Sequence, residues 1–198
     1  MANSGSDKYL QHRQDAIRSA AAVFAEKGYH GSSTGDIAGR LGIKQASLYY
    51  YFKSKEEALV EVCLYAMCDY AQQMDTIAAS KQPFEAKLMA AIASHVSKYR
   101  EQNGALKVYH AERLYLPKAK RKKLYQLGSG YRQQLEGIFE QGIQSGAVRE
   151  TTDCHFAAQA VIGMCNAWGE LIVRDPEMDL FDAVQKCTDL LSNGFIKR

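Results

Sequence analysis

Proline is scarce in this chain, with three residues in 198. So few helix breakers favour long uninterrupted helices. Strand-like alternation of useful length is missing, as are internal repeats and low-complexity tracts. There is no P-loop, no glycine fingerprint after a strand, no nucleophile elbow and no HExxH pair. No converging acid, base and nucleophile can be assembled, so an enzyme is not expected, and a small α-helical enzyme stands only as a distant alternative. The five cysteines form no C-x-x-C pair: Cys63 and Cys68 are five apart, and Cys154, Cys165 and Cys187 are dispersed. Cys154 and His155 are neighbours in sequence and so face differently on a helix. Buried reduced thiols are expected, with no metal and no cofactor. The first residues, MANSGSDKY, hold no apolar run of the kind a signal peptide needs. No charge-free stretch approaches a membrane span; the nearest, around residues 156–173, is interrupted by Gln159 and Glu170. A cytoplasmic protein with no membrane partner is the expectation.

The formal net charge of +3 says little, but its distribution says more. Residues 1–55 carry eight Lys or Arg against four Asp or Glu, which leaves the remainder slightly acidic. That basic excess coincides with the most informative run of the sequence, Ser33 to Lys55: STGDIAGRLGIKQASLYYYFKSK. Ser33 or Thr34 suits a helix N-cap, with Asp36 in the first turn where negative charge is favoured. Ile37, Ala38 and Leu41 give a short apolar face, and Gly42 supplies the backbone freedom for a sharp exit. Ile43 can plug the corner. A second helix then opens with Lys44, Gln45, Ala46 and Ser47, with Leu48 and Phe52 four apart on its inner side. Gln45, Ala46, Ser47, Tyr49 and Tyr50 are left outside. Gln can pair with a base edge, small Ala and Ser permit close approach, and Tyr hydroxyls reach phosphate or base. Four consecutive aromatic residues, Tyr49 to Phe52, cannot all face inward at 3.6 residues per turn. Ser54 suits the cap of the next helix, with Glu57 as the third residue of a capping box. The whole is a helix-turn-helix pattern, the kind of unit that sets a short helix in the DNA major groove.

The longer string AAAVFAEKGYHGSSTGDIAGRLGIKQASLYYYFKSKEEAL resembles the DNA-binding domain of TetR-family transcriptional repressors over roughly residues 11–62. That resemblance implies phosphate contacts by Thr34, Tyr50 and Lys55. It implies a base-reading surface of Gln45, Ala46, Ser47 and Tyr49, with Lys44 suited to either role. Gly35 departs from relatives with a longer side chain there, and Tyr51 stands where His is common.

The expected fold is all-α, with about nine helices. A disordered tail (residues 1–10) precedes a three-helix helix-turn-helix head (11–55) and a ligand-sensing and dimerisation domain (56–198). Helices are read over Gln11–Lys27, Lys55 to about Ala79, from Pro83 to Asn103-Gly104, a short one through Leu106 to Arg113, Pro117 to Ser145-Gly146, Asp153–Val173 and Leu180–Phe195. Over residues 153–173 apolar side chains cover most of the circumference, so that helix needs neighbours on more than one side. In TetR-like proteins the last two helices form a four-helix interface with a symmetry mate. The resemblance thus implies a homodimer through Phe156, Val161, Cys165, Trp168, Val184 and Leu191.

The strings YRQQLEGIFEQGIQSGAVR and VIGMCNAW, within about residues 112–195, are more weakly similar to a TetR subgroup that represses fatty-acid or steroid-ring catabolism and responds to acyl-CoA thioesters. The run Lys118 to Lys123 holds five cations in six residues. Such a run suits the phosphates of a CoA or a solvated helix start, where basic residues are disfavoured. Expected ligand residues are His95, Tyr99, Tyr109, His110, Arg113, Lys120, Arg121 and Met164. The function read from these features is a repressor that binds a palindromic double-stranded operator as a homodimer and is released by a small-molecule inducer, an acyl-CoA thioester being one candidate. A regulator of efflux or stress genes that senses a neutral hydrophobic compound is the alternative.

Overall fold

The computed structural model describes residues 4–102, 104–175 and 177–193. Among these the chain forms nine α-helices and one 3₁₀ turn, with no strand. The helices are α1 (Ser4–Lys27), α2 (Thr34–Leu41), α3 (Gln45–Leu48), α4 (Lys55–Ala79), α5 (Phe84–Glu101), α6 (Ala105–Glu112), α7 (Lys118–Gln144), α8 (Cys154–Arg174) and α9 (Leu180–Asn193); the 3₁₀ turn, Arg113–Tyr115, follows α6.

The chain folds as two compact units, each assembled from separate stretches of sequence. The first holds Met1–Met67 and Gln102–Leu124; the second holds Cys68–Glu101 and Tyr125–Arg198. The expected boundary at residues 55/56 is therefore displaced. The buried stripe of α4 runs past it through Ala58, Leu59, Val62, Cys63 and Ala66, all fully covered. The expected tail also needs correction. From Ser4 onward it is helical, because α1 continues upstream in the same phase that buries Ala16, Ile17, Ala20 and Phe24. Residues 1–3, Asn103 and Phe195 lie outside the described residues.

In the first unit α1 lies against α2 and α6, and α2 against α3. Its core is Ile17, Ala20, Ala21, Phe24, Ile37, Ala38, Leu48 and Phe52. The turn between α2 and α3 is set by Gly42, which takes a left-handed conformation (φ 74°) at the α2 C-terminus. The Ile43 N–H then donates to the Ala38 carbonyl at 3.0 Å.

In the second unit α5 lies against α8 and α9. At Gly169 a Cβ would stand 2.3 Å from the Tyr99 ring, so the two helix surfaces meet where α8 has no side chain. By length and composition alone α8 could cross a membrane, although it carries the Gln159 and Glu170 that interrupt this stretch. Its Ala158, Val161, Cys165, Gly169 and Ile172 are buried within the unit.

The cysteines divide. Cys63, Cys165 and Cys187 are buried, and burial pushes the thiols of Cys63 and Cys165 up to about 12. Cys68 is exposed and Cys154 half-buried, so the expectation of five buried thiols holds for three.

Candidate nucleic-acid interface and sensor site

The reading head begins with a capping box. Ser33 Oγ accepts the Asp36 N–H at 3.1 Å, and the Asp36 carboxylate accepts the Ser33 N–H at 2.7 Å. Lys27 forms an ion pair with the same carboxylate. The Lys27 ammonium first, and then Ser33, hold the Asp36 carboxyl down at about 2. Ser33 is thus the cap, and Thr34 is the first helical residue.

Thr34 and Gln45 meet across the α2–α3 corner: Gln45 Nε2 donates to Thr34 Oγ1 at 2.8 Å. A Cβ at Gly35 would stand 3.7 Å from Gln45 Oε1, an ordinary contact distance, so Gly35 lies beside this amide.

α3 is one turn long, shorter than expected, and Tyr49, Tyr50 and Tyr51 follow it in a tight turn. That turn is held by Tyr50 N–H to Ser47 O (3.2 Å), Tyr51 N–H to Leu48 O (2.9 Å) and Phe52 N–H to Leu48 O (3.0 Å). Leu48 and Phe52 plug the core, while Lys44, Gln45, Ala46, Ser47, Tyr49 and Tyr50 are exposed. One surface of the first unit thus presents an amide, two small side chains, two phenols and a cation, a mixture suited to base edges and phosphates.

Lys55 is placed differently. Its ammonium donates to the carbonyls of Tyr29 and Ser32, both at 2.7 Å, and lies 4.6 Å from the centroid of the Tyr29 ring. It ties the start of α4 to the turn after α1, instead of standing free for a phosphate. Ser54 caps α4 by accepting the Glu57 N–H at 3.1 Å, but the capping box is not reciprocal: the Glu57 carboxylate accepts the Lys53 N–H at 2.6 Å.

The eight expected ligand residues divide between the units. His95, Tyr99 and Met164 belong to the second, the other five to the first. His95 and Tyr99 are part of a buried polar network. His95 Nε2 is 3.0 Å from Asn166 Oδ1, and His95 Nδ1 is 2.8 Å from the Tyr131 hydroxyl. A neutral imidazole with its proton on Nε2 satisfies both partners. The Tyr99 hydroxyl donates to Asn166 Oδ1 at 2.9 Å, and the Tyr70 hydroxyl to the His95 carbonyl at 2.8 Å. Burial raises the Tyr70, Tyr99 and Tyr131 phenols, which keeps them as neutral donors. Met164 is half-buried on α8.

In the first unit Arg113 caps its own helix, donating to the carbonyls of Tyr109 (3.2 Å) and His110 (2.5 Å) with its guanidinium 5.0 Å from the centre of the Tyr109 ring. Lys120 pairs with Glu56 at 2.8 Å, and Arg121 is half-buried. Sequence reasoning missed Tyr70, Tyr131 and Asn166 as members of the His95 network. Tyr131 lies in an apolar helical stripe and reads as core, and nothing local connects it with residue 95.

The expected dimer residues also need correction. Val161, Cys165 and Val184 are 2%, 0% and 7% exposed, because they point into the monomer's own core. Trp168 and Leu191 are half-buried, and Phe156 is 72% exposed. The outer face of α8 is instead Phe156, Ala160, Gly163, Ala167 and Leu171, at helical spacing and all exposed. A Cβ at Gly163 would meet nothing.

Comparison with known proteins gives the family. The model for bacterial regulatory proteins of the tetR family matches residues 16–62, and that for the tetracyclin repressor-like C-terminal domain matches residues 81–170. The fatty acid metabolism regulator protein of Bacillus subtilis is 29% identical over 191 residues, which covers 94% of this chain and 95% of that one. The TetR-family regulator PfmR from Thermus thermophilus superposes with a TM-score of 0.85 at 26% identity, over 92% of this chain and 99% of that one. The regulator FadR from Bacillus subtilis, solved with stearoyl-CoA, superposes with a TM-score of 0.76 at 28% identity, over 92% and 99%. With both of its domain models lying in order along the sequence, the chain belongs to the TetR family of bacterial transcriptional regulators.

Proposed function

We propose that this protein is a homodimeric repressor that holds a palindromic operator and is released from it by an acyl-CoA thioester. The observation that carries the DNA reading is the exposed set Gln45, Ser47, Tyr49 and Tyr50, displayed on a turn whose inner residues Leu48 and Phe52 are fully buried. Gln45 and Ser47 are assigned to base edges, with Ala46 allowing close approach. Tyr50, Lys44 and Thr34 are assigned to the backbone, and Lys55 to shaping the surface from behind. Two copies are paired through the outer face of α8, with Phe156 and Leu171 around the small residues Ala160, Gly163 and Ala167, and with the exposed Phe181 of α9.

Support for the inducer class comes from the FadR relative and its stearoyl-CoA, at 28% identity over nearly the whole chain. The exposed cations Lys118, Lys122 and Lys123 add a surface suited to a polyphosphate. Release requires that the thioester bind the arrangement unable to hold DNA more tightly than the one that holds it.

The test has two steps. Sequencing the DNA fragments retained by the purified protein gives the operator, and fluorescence anisotropy on that duplex then follows release. Stearoyl-CoA is expected to release the DNA, with stearate and free CoA far weaker. Release by neutral hydrophobic compounds while stearoyl-CoA and shorter acyl-CoAs do nothing would replace the thioester by the efflux or stress reading.

A further inference from the structure

Tyr50 has its backbone held by the turn but is 71% exposed as a residue. A side chain in that position ordinarily samples several rotamers, and ordering it on DNA costs entropy. Here the ring has a neighbour from far away in sequence. The Tyr9 ring, near the start of α1, lies 5.4 Å from the Tyr50 ring, centroid to centroid, at an interplanar angle of 84°. It also stacks on Tyr51 at 6.3 Å and 20°, and Tyr50 meets Tyr51 edge-on at 5.4 Å and 79°. All three pairs fall within the distances at which aromatic rings attract, in edge-to-face or offset arrangements.

Of the three rings, Tyr51 is the one set against the head, and Tyr9 is carried on a fixed helix though itself exposed. Tyr51 is half-buried and lines a groove with His12, Asp15, Leu41 and Ile43. Tyr9 rides on a helix fixed by the buried Ala16, Ile17 and Ala20, and by the Arg13–Glu61 ion pair at 2.7 Å. Tyr50 is the most exposed of the three, and Tyr9 and Tyr51 restrict it from two sides.

We infer that Tyr9 is a positioning residue for DNA binding: it holds the Tyr50 ring in the orientation that meets the operator, acting through Tyr50 and not through a contact of its own. The inference rests on the DNA-binding reading above. It gives the first turns of α1 a part in operator recognition by pre-organisation, in which a ring ordered before binding need not be ordered during it.

The experiment is a double-mutant cycle on the full-length protein with its selected operator. Affinities are measured for wild type, Tyr9→Ala, Tyr9→Phe, Tyr50→Ala and the Tyr9→Ala, Tyr50→Ala pair. Tyr9→Ala is expected to weaken binding by roughly three- to tenfold, the range an aromatic pair contributes. Tyr9→Phe keeps the ring and should restore wild-type affinity. With Tyr50 already replaced, Tyr9→Ala should cost less than about twofold, since its target is gone. An equal loss in both backgrounds would mean that Tyr9 acts independently of Tyr50 and would overturn the inference. No loss in Tyr9→Ala, or a Tyr9→Phe variant as weak as Tyr9→Ala, would overturn it as well. Failure of wild type to retain any DNA is a different result and would refute the regulator reading itself.

Discussion

Asp36 closes the capping box of α2 and pairs with Lys27 at the end of α1, so one carboxylate joins two helices of the head. Its folded-state carboxyl is depressed to about 2, below its ordinary range. A depressed carboxyl contributes stability that is complete above its unfolded value and fades as pH falls through the folded one, here between about pH 4 and pH 2. Urea midpoints followed by circular dichroism should therefore separate wild type from Asp36→Asn at pH 6, and the two should converge near pH 2. Gly169 makes a second residue-scale prediction. A methyl there would enter the Tyr99 ring, and that ring is held by its hydrogen bond to Asn166. Gly169→Ala should cost on the order of 1–3 kcal/mol, read as a lower melting temperature. Ser33, Asp36 and Gly42 were legible in the sequence because capping and left-handed turns are local chemistry. The Thr34–Gln45 hydrogen bond was not: it joins two exposed side chains across a corner, and nothing in their spacing says that they face each other.

At the scale of elements, proline and glycine marked most helix ends, and α4 agrees with its expected span from Lys55 to Ala79. Two elements escaped. The start of α1 was hidden by polar composition, since Tyr9 and Leu10 are the first apolar side chains of its stretch and both are exposed. α3 was expected to reach Phe52 because Leu48 and Phe52 keep helical spacing even across a tight turn. The segment after α5 was the larger surprise, because nothing local ties residues 102–124 to the head. There the Glu112 carboxylate accepts the Tyr29 N–H at 3.0 Å, Lys107 donates to the Ala25 carbonyl at 3.2 Å, and the Tyr115 ring lies 6.3 Å from Tyr29 and 4.4 Å from His30. Glu112→Ala leaves a half-buried N–H without its acceptor and should destabilise by about 1–3 kcal/mol. Lys120→Ala breaks an exposed pair with Glu56 and should move the melting temperature far less. Equal effects from the two substitutions would contradict this ranking.

For the whole molecule, helical composition and the head motif were enough to read the fold class and the family. Which side of α8 stays outside was not legible, because a helix apolar all round does not announce which face its own core takes. In the folded chain Val161 and Cys165 belong to the monomer, and the row from Phe156 to Leu171 is outside. If the proposed dimer pairs through this row, Gly163→Glu or Ala167→Glu should halve the mass seen by light scattering while leaving the melting curve near wild type. Cys165→Asp should unfold the chain instead, because it buries a charge at a fully covered position. The head, for its part, is discontinuous in sequence: residues 102–124 return to it after the chain has built α5. An excised fragment ending at Met67 would lack the acceptor for Tyr29 and the partner of Glu56. Chimeras that give this reader a new sensor should therefore carry residues 102–124 along with residues 1–67. Where sensors are exchanged during evolution, the inherited block would be two separated stretches of gene, and a single crossover could not transfer it whole.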